Sequence, residues 1–363
     1  MTNGKKYGVG MYGGCFNPLH LGHLECIIRA AGLCRELYIV ISWRNHESDV
    51  PLRVKIRWIH TLTRHLGNVK IIPLEDRLTC KEDYTEDLWT EDARKVRERI
   101  GKSPDVVFCG SDYDETSFWN TCYEESAFVV FPRNSYNSTA IRNDVYGHWD
   151  WMPQPVRSWY VKKVLITGGE SSGKSTLTIN LANYYRTVYL EEVGRDLSEL
   201  SGTDVWMLPE DFTRILLEHR NRELLLTGQA NKVLFVDTDC LITRFFMDFL
   251  GDGAGAGENS GNPGAGDGRR ISAGNRLLAD AIAALNSYDL ILFLEPDVEW
   301  VQDGDRSEII AADRRKYSEM IKELYRSRGF DFEVISGDYN SRFDRAVALV
   351  NGLLDSGRRN SGK

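Results

Sequence analysis

Two glycine-bearing turns, about half a chain apart, constrain this sequence more than any other feature. Gly13-Gly14-Cys15-Phe16-Asn17-Pro18-Leu19-His20-Leu21-Gly22-His23 is the first, and Gly168-Gly169-Glu170-Ser171-Ser172-Gly173-Lys174-Ser175 is the second. Each follows a short apolar run and opens a helical pattern. A strand that feeds a helix through glycine brings bare backbone N–H groups and a helix N-terminus to one spot, which is where an anion is held. Both turns read as phosphate cradles, built differently, one in each half of the chain.

The segments around them repeat one scheme. Tyr7–Tyr12, Leu37–Ile41, Val69–Ile72, Val106–Cys109 and Phe128–Phe131 are apolar runs of strand length, separated by helical spacing over His23–Leu33, Val54–Leu66 and Leu88–Ile100. After the proline-containing stretch His148–Pro155 the alternation restarts. Val164–Thr167, Thr187–Leu190, Val233–Val236, Leu290–Leu294 and Phe332–Ile335 are the strand candidates of the second half. Its helices are expected at Ser175–Tyr185, Glu210–Thr227, Asp239–Leu250, Arg276–Leu285, Ser307–Arg328 and Arg342–Leu354. Strand–helix alternation means a parallel sheet covered on both faces. The expected fold is α/β, with two doubly wound parallel-sheet domains: a Rossmann-like domain over 1–147 and a P-loop domain over 161–356. Residues 148–160 form a connector whose tryptophans (Trp149, Trp151, Trp159) imply packing. The glycine-rich stretch 251–268 has no large apolar side chains to repay ordering and reads as a mobile insertion, and 357–363 as a frayed tail.

The 363 residues suffice for two domains, and 42% hydrophobic with 27% charged residues is a globular composition. Forty-five Lys plus Arg against 53 Asp plus Glu leave a net charge of −8, which counts against a general nucleic-acid surface. The seven cysteines (Cys15, Cys26, Cys34, Cys80, Cys109, Cys122, Cys240) are odd in number and scattered. With no Cys-x-x-Cys pair they indicate neither a zinc site nor a disulfide framework. Neither a signal peptide nor a membrane span is expected, so the reading is a cytoplasmic protein.

The second cradle fits the Walker A spacing, with the strand Lys163–Thr167 before it and a helix after it. Gly168, Gly169, Glu170, Ser171, Ser172 and Gly173 would wrap ATP phosphates with backbone N–H groups. Lys174 would bridge the β- and γ-phosphates, Ser175 would hold Mg²⁺, and Thr176 continues the helix start. Asp237 and Asp239, at the end of the apolar run Val233–Val236, stand where a Walker B-like Mg²⁺ contact belongs, with Asp237 as the ligand and the cap of the next helix as the alternative for Asp239. Glu192 and Arg195 follow another strand and read as substrate-binding, or as a solvated charge cluster. The turn Trp300–Arg306 has lid character, with Asp303 on the substrate and Arg306 neutralising the transferring phosphoryl group.

The first cradle matches Gly-x-Phe-x-Pro-x-His-x-Gly-His, from Gly14 to His23. His20 and His23 lie one helical turn apart and face one anion, a pairing suited to neutralising charge in adenylyl transfer. Zinc ligation, or an ordinary helix start, are the plain alternatives. Gly13, Gly14 and Phe16 shape the turn. Ser138 and Thr139 open a further helix with Arg142 in its first turn, a second anion site for ATP. Gly110 and Asp112 follow a strand and are placed for the ribose or adenine. Trp43 and Trp89 are candidates for stacking on a base, or for the core.

With both cradles in this order, the chain resembles the NadR-type bifunctional enzymes, in which a nicotinamide-nucleotide adenylyltransferase is fused to a ribosylnicotinamide kinase. The resemblance extends through Ile141-Arg142-Asn143-Asp144, Trp149-Asp150 and Pro155–Val164 into the second cradle, and includes Trp300–Arg306. It implies two reactions: MgATP-dependent phosphorylation of nicotinamide riboside, then adenylyl transfer from ATP to the mononucleotide, giving NAD and pyrophosphate. ATP is a co-substrate and Mg²⁺ the implied ion; the partners are small molecules, with no nucleic acid and no membrane. The other readings are an active kinase half alone, or a first half that senses NAD without turnover. Three departures stand out. Few residues precede the first strand, where some members carry an operator-binding helix-turn-helix, so no repressor role is expected. Asn137 stands where serine is usual, which is expected to weaken the triphosphate grip. Glu192-Val193-Gly194-Arg195 lacks the tyrosine of the family's Glu-Tyr-Ala-Arg element.

Overall fold

The computed structural model describes residues 4–44, 50–75, 85–110, 121–132, 135–195, 208–251, 265–301 and 308–356. Asp112, Asp303, Arg306, most of the glycine-rich stretch and the tail 357–363 lie outside the described residues. The chain divides into two compact units, one ending at Trp159 and one beginning at Tyr160.

The first unit is built from β1 (Tyr7–Gly14), α1 (Leu21–Leu33), β2 (Cys34–Trp43), α2 (Leu52–Thr63), β3 (Val69–Glu75), α3 (Glu86–Ile100), β4 (Val106–Gly110), β5 (Ala127–Phe131), α4 (Ser138–Asn143) and α5 (Gln154–Arg157). Its sheet runs β3-β2-β1-β4-β5, with every neighbouring pair parallel. Met11, Val40 and Val107 pack under α3 through Ala93 and Val96. The residues expected to form a connector fold as part of this unit. Trp149, Met152 and Val156 are all buried, and Arg157 donates to the Met152 carbonyl at 2.7 Å. Burying three large side chains here outweighs the breaks that the two prolines impose.

The second unit comprises β6 (Lys162–Gly168), α6 (Lys174–Tyr185), β7 (Tyr189–Leu190), α7 (Pro209–Thr227), β8 (Val233–Asp237), α8 (Cys240–Gly251), α9 (Ala265–Leu285), β9 (Leu290–Leu294), α10 (Glu308–Ala312), α11 (Arg314–Ser327), β10 (Glu333–Ile335) and α12 (Tyr339–Asp355). The sheet order is β10-β9-β6-β8-β7, again all parallel. One face packs on α7, α8, α9 and α11, the other on α6 and α12.

Two helices depart from the apolar periodicity. The helix expected over Ser307–Arg328 is broken at Asp313, whose side chain accepts from Lys316 N–H at 3.2 Å and so caps a new helix. The helix expected from Arg276 begins at Ala265, inside the stretch read as an insertion. Asn275 is buried there, donating to the Pro209 carbonyl and accepting from Thr213, both at 2.6 Å. A satisfied polar residue extends the packed face beyond what apolar spacing reveals.

Candidate active sites

The first cradle leaves the carboxyl end of β1, the strand at which order reverses between β2 and β4. That switch point is where open parallel sheets hold ligands. Phe16 turns the chain at φ 48° and buries its ring edge-on against His23, 5.0 Å between centroids. His20 caps α1: its Nδ1 accepts from His23 N–H, and His23 Nδ1 accepts from His20 N–H, both at 3.3 Å. A ring nitrogen that accepts carries no proton, so each neutral imidazole keeps its proton on Nε2. The rings stack at 3.7 Å and 17°, and Gly22 makes room for them. A Cβ at Gly22 would meet His20 Cε1 and Nδ1 at 3.2 Å and Tyr136 at 3.3 Å. Two stacked Nε2–H donors beside a helix N-terminus suit a phosphate rather than a metal. Among the described residues no group of three or more metal-ligating side chains occurs.

The helix α4 is tied to this turn. Ser138 Oγ donates to the Pro18 carbonyl at 3.0 Å, and Arg142 Nη1 donates to the Asn17 carbonyl at 2.6 Å. The other terminal nitrogen of Arg142 donates to Thr139 Oγ1 at 3.0 Å. Asn137, the residue in place of serine, is the helix cap: its side-chain oxygen accepts from the N–H groups of Thr139 (2.7 Å) and Ala140 (3.1 Å). A carboxamide caps as well as a hydroxyl does, and the helix start is kept. Gly110 ends β4, with open space where a Cβ would be. Trp43 ends β2, and Trp89 lies in the first turn of α3, so both sit toward the carboxyl edge of the sheet. Trp89 lines a small cavity with Leu74, Asp92, Val96 and Tyr123.

The second cradle leaves β6, which lies between β8 and β9 at the corresponding switch point. Gly168 has φ 144°, and a Cβ there would fall 2.6 Å from the Leu294 carbonyl, so no other residue fits. The loop is held by its own polar groups. Ser172 Oγ (2.8 Å) and Lys174 Nζ (2.9 Å) both donate to the Gly169 carbonyl, which brings the ammonium back across the turn. Gly173, at φ 86°, precedes α6, and Ser175 and Thr176 lie in that helix's first turn.

Asp237 ends β8 opposite Ile166 of β6, is 2% exposed, and its Oδ1 has no hydrogen-bond partner among the described residues. Burial, reinforced by the Glu192 carboxylate, pushes its carboxyl up to about 6, against the opposing pull of Lys174, Ser175 and Arg195. An orphaned buried carboxylate oxygen beside a helix-start hydroxyl fits a hard cation of the Mg²⁺ type. Asp239 is held differently. Its Oδ1 accepts from Leu241 N–H at 3.0 Å and from the Tyr325 hydroxyl at 2.6 Å, and Tyr325 reaches Thr167 at 3.0 Å. That geometry caps α8, while Asp239 Oδ2, like Asp237 Oδ1, is buried without a hydrogen-bond partner among the described residues. Arg195 Nη2 donates to Ser175 Oγ at 3.2 Å and lies 3.7 Å from Glu192 Oε2, so this partly exposed pair stands beside the start of α6.

Two arginines that motif reading missed fasten the loop. Arg342, 2% exposed, donates to the carbonyls of Ser172 (2.5 Å), Gly337 (2.7 Å) and Glu295 (2.8 Å), and pairs with Asp297. Its phase was the available signal, because it shares the buried stripe of α12 with Ala346 and Val350. Arg314 donates to the carbonyls of Val298 (2.7 Å) and Ser171 (3.1 Å) and covers the Trp300 ring at 5.4 Å. Ser171 Oγ also accepts from Val301 N–H at 3.0 Å, so the described base of the lid turn is joined to the loop. Arg342→Met takes the donor from a partly exposed carboxylate and from three carbonyls and is expected to destabilise the second unit by about 1–3 kcal/mol. Thermal unfolding followed by circular dichroism measures this, and an unchanged midpoint would show that the clamp adds no stability.

Taken together, the fold and sites define a class: a nucleotidyltransferase-type α/β domain followed by a P-loop domain. Comparison with known proteins agrees. Residues 11–164 match the cytidylyltransferase-like family and residues 163–342 match the AAA domain family. The first unit alone is similar to phosphopantetheine adenylyltransferase of Mycoplasma capricolum, 30% identical over 138 residues, 33% of this chain and 96% of that protein. Similarity over the whole length is to the trifunctional NAD biosynthesis/regulator protein NadR of Escherichia coli K12, 27% identical over 98% of this chain and 85% of that protein. A crystal structure of a NadR protein in complex with NR superposes with a TM-score of 0.74 at 21% identity, covering 98% of this chain and 99% of that one. The chain is thus similar to the NadR-type proteins over nearly its whole length.

Proposed function

We propose that the chain is a bifunctional enzyme of NAD synthesis. The second unit phosphorylates nicotinamide riboside with MgATP, and the first unit joins the resulting mononucleotide to AMP from a second ATP, releasing pyrophosphate. The observation that carries this reading is the pairing of two differently equipped cradles, imidazoles at one switch point and a lysine loop at the other. The NadR likeness over the full length supports the pathway. The division into 1–147, 148–160 and 161–356 follows from it, with the connector folded onto the first part. We further propose a cytoplasmic location; no helix among the described residues is long and apolar enough to cross a membrane.

In the second unit the loop amides and Lys174 would hold the β- and γ-phosphates, placing the γ-phosphorus in line for the riboside 5′-hydroxyl. Mg²⁺, held by Ser175 and Asp237, would supply charge neutralisation on the phosphate oxygens. Glu192, beside Asp237 and Arg195, would accept from the riboside hydroxyls. In the first unit the mononucleotide phosphate attacks the α-phosphorus of ATP, and pyrophosphate leaves. His20 and His23 would donate from Nε2 to the oxygens that gain charge, and Arg142, with Ser138 and Thr139, would receive the departing pyrophosphate. Trp43 and Trp89 are proposed to face the nicotinamide, and Gly110 the adenosine.

Purified protein given nicotinamide riboside and MgATP, with products separated by chromatography, tests the reading. NAD formation is expected. Mononucleotide accumulating alone would mean that only the kinase works, and no turnover at all would rule out the enzyme. Gly22→Ala pushes on the His20 ring and is expected to slow NAD formation from supplied mononucleotide by about tenfold, because small displacements of positioning groups carry such penalties. Steady-state kinetics of that half-reaction decide it; an unaltered rate would show that the stacked pair tolerates displacement.

A further inference from the structure

The geometry around Ser175 points to a control on metal loading that rests on the kinase reading above. Arg195 Nη2 serves two partners, Ser175 Oγ at 3.2 Å and Glu192 Oε2 at 3.7 Å. Ser175 is the hydroxyl expected to ligate Mg²⁺, and Asp237, the other expected ligand, feels Lys174 and Arg195 as positive neighbours and Glu192 as a negative one. Two carboxylates and two cationic side chains therefore balance at this spot. A guanidinium keeps its charge at any physiological pH. Mg²⁺ must approach its oxygen ligands to about 2.0–2.1 Å, and a fixed cation hydrogen-bonded to the same hydroxyl opposes that approach. The guanidinium and the metal therefore compete electrostatically for the Ser175 oxygen. The Arg195 side chain is 46% exposed, so it has solvent to swing into.

We propose that Arg195 is the resident counter-cation of the Mg²⁺ position and is displaced when the metal arrives with ATP, so that metal binding is tied to nucleotide binding. The phosphates bring the negative charge that tips the exchange. Once displaced, the guanidinium stays tethered at the mouth of the site beside Glu192, within reach of the riboside. The absence of tyrosine from this element fits such a use, since Val193 is buried and Glu192 and Arg195 are the polar groups the element brings to the cradle.

Mn²⁺ binding, read from the loss of the free-ion paramagnetic resonance signal, tests this on the full chain with and without a non-hydrolysable ATP. The wild type is expected to bind Mn²⁺ weakly alone and tightly with nucleotide, the second component being lost in Lys174→Ala. Arg195→Met is expected to bind Mn²⁺ about tenfold more tightly in the absence of nucleotide, a modest factor because the group is half exposed. Arg195→Lys should stay near the wild type, and adding Ser175→Ala to Arg195→Met should cancel the gain. Arg195→Met binding no more tightly than the wild type, or a gain that survives Ser175→Ala, overturns the proposal while leaving the kinase reading intact. If no Lys174-dependent component exists in the wild type, the kinase reading fails and this proposal fails with it.

Discussion

Lys174→Ala is expected to end phosphorylation of nicotinamide riboside while NAD still forms from supplied mononucleotide. The side chain is the cation nearest the centre of the second cradle, already curled across it to the Gly169 carbonyl. A single preorganised donor aimed at developing charge is worth about 10²–10³ in rate; one that also carries a full charge against triphosphate should reach about 10³ or more. The fold should survive, because the loop is held independently by Ser172, Arg342 and Arg314. Separate assays of the two half-reactions are the measurement. Loss of both in a folded protein would refute the assignment of one reaction to each unit.

The reciprocal expectation holds for His20→Ala: adenylyl transfer falls by about 10²–10³ and riboside phosphorylation is unchanged. The substitution also removes a helix cap, which costs about 0.5–2 kcal/mol of local stability, so a lower rate alone would be ambiguous. His20→Asn separates the two effects. Its carboxamide oxygen can still accept from His23 N–H, but it offers no imidazole Nε2–H to the phosphate. The catalytic reading requires His20→Asn to recover stability and not rate; recovery of both would reduce His20 to a cap.

Much of this was legible in the sequence because the glycine turns and apolar runs are local signals. The strands flanking both cradles appear where the runs placed them, with small extensions such as Gly14 on β1 and Asp237 on β8. What escaped notice depends on contacts between distant residues. Nothing near Arg342 marks it as the clamp of a loop 170 positions earlier, apart from a charged residue in phase with a buried stripe. The break at Asp313 and the helical start at Ala265 were hidden because capping and a satisfied Asn275 act through hydrogen bonds that hydropathy does not register. Asn137 caps α4 through its side-chain oxygen, a structural role that comparison with serine by identity leaves out.

The Arg342 clamp also orders the making of the protein. The turn at Gly13–His23 acquires its partners Ser138 and Arg142 from within the same unit, so a ribosome can release that site complete before the second unit has been made. The phosphate loop at Gly168–Ser175 must wait until synthesis has passed Arg342, because its guanidinium fastener sits on α12. The activity proposed to act second in the pathway is thus the first to be assembled, and a chain cut short before α12 would retain one cradle and leave the other unfastened.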